Sequence, residues 1–266
     1  MTHYAKRFFG QSSLESETVL YITGLVTPLS PAQVQNINTF VKYLKTGLGI
    51  TTLSEYFDIM YILAGETQES SLRNLVKNAH HATKDVNITF AALEGFTGFT
   101  NSTAYINTNY NMSNQAVRLS QNNSSAGFYS RTSGGGGNTA EMGVDSNQNF
   151  FLFQTAWGSG RCYIELSNGA GAGLTNNTRL GFWTASRLSS STYKIYKNGN
   201  VFSNETVASL SLPNFNLFLL GAYGSTFGSN IQMSFAFAGK GLTDAEMAVL
   251  TNGIEAYMDN NGKGVI

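Results

Sequence analysis

The chain changes its hydrophobic rhythm once. Val34, Ile37, Val41 and Leu44 recur at helical spacing with Phe40 beside them, which predicts an amphipathic helix over residues 31–46. Ser30 is placed to cap it, Pro31 to open its first turn and Gly47 to end it. Residues 57–63 (Phe-Asp-Ile-Met-Tyr-Ile-Leu) form a short apolar run closed by Gly65. That run reads as a buried strand, with a short helix as the alternative. Leu72, Leu75 and Val76 predict a second short helix over 67–79. From residue 86 the period becomes two. Strands are predicted over 86–91, 102–107, 126–131, 139–144, 149–155, 161–166, 178–185, 192–197, 200–203, 216–221 and 230–238. In the last of these, Ile231, Met233, Phe235 and Phe237 are expected on one face, with Gln232, Ser234 and Ala236 on the other. Asn198-Gly199 lies between two apolar runs and predicts a tight hairpin. Near the end, Thr243 and Glu246 form a capping box, with Leu242 and Met247 spaced as a hydrophobic staple. Met247, Leu250, Ile254 and Tyr257 then stripe a helix over 244–258.

A helix, many short strands and a final helix predict a mostly β chain, with the helices packed on one sandwich. Residues 1–85 are expected to pack onto a β body spanning 86–266. Composition agrees with many tight turns. Asn (27), Ser (27), Thr (26) and Gly (28) make up about two-fifths of the 266 residues. Lys and Arg number 16 against 16 Asp and Glu, so no broad field favours nucleic acid or an anionic membrane. Only 12% of residues are charged, about half the usual share. No run approaches the ~18 apolar residues of a spanning helix, so no membrane insertion is expected. The opening Met1–Gly10 lacks the apolar stretch of a signal peptide, so no targeting signal is expected. Cys162 is the only cysteine, which excludes a disulfide framework within one chain. Seven Asn-x-Ser/Thr sequons occur, at Asn87, Asn101, Asn111, Asn122, Asn123, Asn176 and Asn204. In a chain this rich in Asn, Ser and Thr they are expected by chance.

Three segments carry a resemblance. Tyr193-Lys-Ile-Tyr-Lys-Asn-Gly-Asn200 resembles the hairpin of concanavalin A-like (laminin G-like) jelly rolls. Ile231 to Phe237, followed by Gly239-Lys-Gly-Leu-Thr-Asp-Ala-Glu246, resembles that family's last strand and its capped terminal helix. Gly95-Phe-Thr-Gly98 before Tyr105-Ile-Asn107 is similar to the opening of the same jelly roll. The resemblance covers 86–258 and implies a concanavalin A-like jelly-roll sandwich with a leading N-terminal helical segment and a capped C-terminal helix. With the helix at 31–46 and the strand at 57–63 included, the pattern resembles virion and fibre proteins of tailed bacteriophages infecting gut Bacteroidetes.

Candidate chemistry is sparse. Glycoside hydrolysis needs two carboxylates facing across a cleft. The Glu-x-Asp-x-x-Glu run of concanavalin A-like glucanases is absent; Glu141 and Asp145 straddle a strand end and Glu165 stands alone, so turn and surface acids are expected. His80 and His81 are adjacent, so their side chains diverge and share a metal poorly; His3 is distant. Trp157-Gly-Ser-Gly160 is a glycine-rich turn without the nucleophile-elbow pattern. Gly134–Gly137 precede strand signals, where a phosphate cradle needs a helix. Asp145 with Asn147 is a thin calcium candidate. No cofactor or metal is expected. Carbohydrate binding needs exposed rings beside neutral hydrogen-bonding groups. Trp157, Trp183, Tyr129, Tyr163 and Tyr223 are the candidates for those rings.

The resulting expectation is a non-enzymatic virion component of a tailed phage: a fibre or decoration subunit on the particle surface, assembled in the bacterial cytoplasm. Residues 1–85 would serve attachment or oligomerisation. The expected partners are further copies of the chain as a dimer or trimer, other virion proteins and host surface glycans. The alternative is a carbohydrate-binding module or receptor-binding adhesin; a glycan-cleaving enzyme stands third.

Overall fold

The computed structural model describes residues 13–266 apart from 101, 102, 134–136, 147, 148, 159, 170, 172 and 225. Two helices open it, α1 (Ser16–Thr23) and α2 (Pro31–Leu48). Strand β1 (Phe57–Tyr61) and a single helical turn, α3 (Gln68–Ser71), follow. The body then runs through β2 (Thr83–Lys84), β3 (Thr89–Ala91), β4 (Gly95–Thr97), β5 (Ile106–Asn111), β6 (Ser124–Ser130) and β7 (Met142–Ser146). It continues through β8 (Asn149–Trp157), β9 (Arg161–Asn168), β10 (Leu174–Thr175), β11 (Gly181–Arg187), β12 (Thr192–Lys197) and β13 (Asn200–Thr206). Strands β14 (Asn216–Leu219) and β15 (Gln232–Gly239) complete it, and helix α4 (Asp244–Asn260) closes the chain.

The strands form two antiparallel sheets stacked as a sandwich. The first has eight strands in the order β13-β12-β11-β6-β15-β4-β3, with β1 also paired to β15. The second has seven, in the order β10-β9-β8-β7-β14-β5-β2. Between them lies a core that includes Phe128, Phe151, Phe153, Ile164 and Trp183. A second core lies outside the first sheet. There Val34, Ile37, Phe40 and Val41 of α2 and Leu250, Ile254 and Tyr257 of α4 pack on Phe182, Phe235 and Phe237. The first sheet is therefore covered on both faces, whereas the outer face of the second sheet carries loops, which bury Leu152, Glu165 and Phe218 and leave rings half-exposed at its ends.

This layering explains β15. Its expected alternation fails because a bulge between Met233 and Phe235 in the pairing with β6 reverses the parity. Ile231, Met233, Ala236 and Ala238 face the sandwich core, while Phe235 and Phe237 face the helices. The leading strand is built into the same sheet: Met60 pairs with Phe237 and Tyr61 with Ala236. Asp58 on β1 is buried and accepts from the backbone N–H groups of Val117, Arg118 and Leu119 and from the Tyr110 hydroxyl. That carboxylate ties the leading segment to the loop before β6.

Two helix expectations are corrected. Gly47 does not end α2. The helix runs to Leu48 and Gly49 takes the left-handed cap at φ 65°. A Cβ on Gly47 would stand 2.6 Å from Cγ1 of Val249, so this glycine lets α2 and α4 approach. Residues 67–79 are helical only over Gln68–Ser71. Beyond that point the Asn74 side chain takes backbone partners from Met60 and Val76 and donates to Asp58 and Ala79, which turns the chain against β1. The hairpin and the capping box stand as expected: Asn198 and Gly199 have φ of 53° and 76°, and Thr243 and Glu246 cap each other reciprocally.

Candidate functional site

On the second sheet, β8 and β9 alternate between two register shifts, one at Phe150/Phe151 and one between Gln154 and Trp157. Phe151, Phe153, Cys162, Ile164 and Leu166 enter the core. Their neighbours Leu152, Gln154, Tyr163 and Glu165 therefore point outward. One outward row crosses five strands in direct register: Glu165, Leu152, Gly143, Phe218 and Asn107. Gly143 (φ 145°) leaves a dip in that row, because a Cβ there would run into the Phe151 carbonyl.

Rings gather at both ends of the row. On one side Trp157 meets Phe227 edge-on at 5.1 Å and Tyr163 at 6.5 Å. On the other, Tyr105 stacks on Phe218 at 3.9 Å and Phe215 on Tyr223 at 4.1 Å, with Tyr223 edge-on to Phe218 at 5.7 Å. Ala140, Leu152 and Ala222 form a small apolar cluster with Phe150 and Phe227 against it, beside the first group. Trp157 and Tyr163 are half-buried, and Tyr223 is 38% exposed. Backbone bonds seat the loop that carries Tyr223 and Phe227. Asp145 donates to the Tyr223 carbonyl and Ala140 to that of Phe227.

Polar groups flank the rings. Asn216 donates to the Asn107 side-chain oxygen at 3.1 Å, and Arg161 donates to the Gly173 carbonyl. Asp145 is half-buried and its carboxyl is pushed up by burial. Glu165 is only 4% exposed. Burial raises its carboxyl to about 7; the Gly171 N–H at 2.7 Å opposes that shift and the Asp145 charge adds to it. The expectation of surface acids is thus corrected for Glu165, and equally for Glu141. Glu141 is fully buried and accepts from Thr139, Ser229 and the Thr155 N–H, and burial raises its carboxyl too. Thr139 and Ser229 lie in loops and Thr155 lies on β8, so the carboxyl ties two loops to that strand.

The five ring candidates separate. Trp157, Tyr163 and Tyr223 share the open face. Trp183 and Tyr129 do not: both are 0% exposed. They sit on β11 and β6, central strands of the doubly covered sheet, so either face of those strands is interior. Trp183 packs edge-on to Phe202 with Lys197 over its ring, while the Tyr129 hydroxyl donates to Glu255 on the helix side. Sequence reading missed Tyr105, Phe215, Phe218 and Phe227. The signal was a density of rings over 215–227 that extends past the end of a short strand.

The histidines are held apart. His80 bonds the Asn109 carbonyl, and His81 bonds the Asn74 N–H and Asn78. His3, Gly134–Gly136, Asn147 and Ser159 lie outside the described residues. Among the described residues no cluster of three or more His, Cys, Asp or Glu is arranged to hold a metal ion. No helix among them is long and apolar enough to cross a membrane.

No protein-family model matches the chain, and no curated protein matches it. Among solved structures, the binding domain of Paraclostridial Mosquitocidal Protein 1 aligns with a TM-score of 0.51 at 10% identity, over 76% of this chain and 53% of that one. The fold is a jelly-roll sandwich. A mutant of Trypanosoma rangeli sialidase displaying trans-sialidase activity aligns with a TM-score of 0.51 at 10% identity, over 88% of this chain and 40% of that one. Domain 4 of AbnA, an extracellular arabinanase from Geobacillus stearothermophilus in complex with arabinotriose, reaches 0.48 at 13% identity, over 73% of this chain and 100% of that domain. This chain spans about half or less of the length of the first two. For the mosquitocidal protein's domain and the sialidase, at 10% identity, the likeness is one of fold.

Proposed function

We propose that the open face of the second sheet binds glycans and that the protein is a carbohydrate-binding jelly-roll module. The observation that carries this reading is the pair of ring groups, Trp157, Tyr163 and Phe227 at one end of the second sheet's outer face and Tyr105, Phe215, Phe218 and Tyr223 at the other, on a face that no helix among the described residues covers. A sugar ring presents an apolar C–H face to an aromatic plane and a rim of hydroxyls to neutral polar groups. Half-buried Asn107 and Asn216 supply such groups, and exposed Arg161 adds a charged donor. The mosquitocidal protein's domain is named as a binding domain; the reading here rests on the aromatic face.

The reading is of a binder without a chemical step. The sequence resemblance to tailed-phage proteins supports a place for it as a fibre or decoration subunit, assembled as a dimer or trimer, whose target glycans belong to the host surface. A glycan array tests the binding. The chain is expected to hit at least one oligosaccharide class, and Trp157→Ala and Tyr223→Ala should each weaken that hit about tenfold. An array without hits, or hits untouched by both substitutions, overturns the proposal. Light scattering at micromolar concentration tests assembly, and a monomer there argues against the fibre role.

A further inference from the structure

We propose that the end of the sandwich around Arg187 binds a monovalent inorganic anion of chloride size as a structural ligand. Arg187 is the last residue of β11 and follows Trp183 and Ala185 into the interior. Its side chain is fully buried. Nε donates to the Leu166 carbonyl at 3.1 Å, and Nη1 donates to the carbonyls of Val207 and Ser189. The guanidinium lies over the Tyr193 ring at 4.8 Å. These bonds hold both sheets together at this end. They supply no negative charge, and among the described residues Arg187 forms no ion pair.

Among the described residues, two buried polar atoms on this face have no hydrogen-bond partner: Arg187 Nη2 and Ser124 Oγ. Ser124 is the register partner of Arg187 across β6 and β11, so the two side chains share a face. Unpartnered donors from β6 and β11 are thus brought to one end of the core. A buried cation facing only carbonyls and a ring is costly, and a counter-ion removes that cost where a water would satisfy only the bonds. Glu165 and Glu205 act on Tyr193 without pairing with Arg187. One unpaired guanidinium calls for one negative charge, which selects a halide over a divalent oxyanion.

The test uses the full chain purified in sodium gluconate, with chloride added at constant ionic strength. Tm is expected to rise by about 3 °C by 100 mM chloride. A bromide-soaked crystal is expected to show an anomalous peak within hydrogen-bonding reach of Arg187 Nη2 and Ser124 Oγ. Arg187→Met should remove the chloride dependence. Should that variant fail to fold, Ser124→Ala, which takes away one donor and no charge, should raise the chloride concentration for half effect several-fold. Equal Tm values in chloride and gluconate, or a peak at the site without anomalous signal from bromide, would assign the site to water and overturn the inference.

Discussion

Glu165 sits between Ile164 and Leu166 and reads from its neighbours as an outward acid on a wet strand face. It does point outward, yet the backbone at Gly171 closes over it, a contact no local pattern announces. Its raised carboxyl has a definite consequence for stability. Below the ordinary value of 4.5 the group is protonated in both states, and between there and about 7 only the folded chain keeps the proton. Folding is therefore favoured at low pH, and that contribution is lost as pH rises through about 7. Glu165→Gln should leave stability unchanged at pH 4 and raise it at pH 8, by at most about 3 kcal/mol for the 2.5-unit difference between 7 and 4.5. Urea unfolding at the two pH values checks it; a variant destabilised at pH 8 contradicts it.

At the scale of elements, what could be read from the chain was local and what could not was tertiary. The α4 capping box, the Asn198-Gly199 turn and the start of α2 depend on residues a few positions apart, and all three stand as their spacing indicates. The parity of β15, the burial of Trp183 and Tyr129 and the collapse of 67–79 into a single turn depend on partners far along the chain. Short β2, β4 and β10 carry no pattern of their own, since two or three residues give no period. Of the seven rings on the second sheet's outer face, Trp157, Tyr163 and Tyr223 were legible. Trp157 and Tyr163 flank one turn, whereas Phe218 and Tyr105 meet only through strand pairing. Gly47 shows how tertiary contact overrides a local signal. Gly47→Ala gains helix propensity yet meets Val249, so it is expected to destabilise the protein by about 1–3 kcal/mol. Thermal unfolding measures this, and a stabilised Ala variant would show that the helices have room to move apart.

The whole molecule is a sandwich with one face sealed by helices and one left open, and both faces follow from where its apolar side chains lie. The seal is integral, because β1 pairs with β15 and Phe40 and Tyr257 pack beside Phe235. Removing residues 1–85 would bare Phe182, Phe235 and Phe237 and strip a partner from β15. The 86–266 fragment is expected to be insoluble or to elute as aggregate; a soluble fragment with a cooperative unfolding transition would show that the leading segment is an accessory. The open face, in turn, has a built-in reporter. The chain has two tryptophans, one half-exposed among the surface rings and one fully buried. Acrylamide quenching of tryptophan emission, with and without the best oligosaccharide from an array, reads Trp157 directly. Quenching of the accessible tryptophan is expected to fall with saturable dependence on the sugar, and Trp157→Phe to abolish the change. Sugar binding that leaves Trp157 as accessible as before would place the site elsewhere and contradict the assignment of the open face.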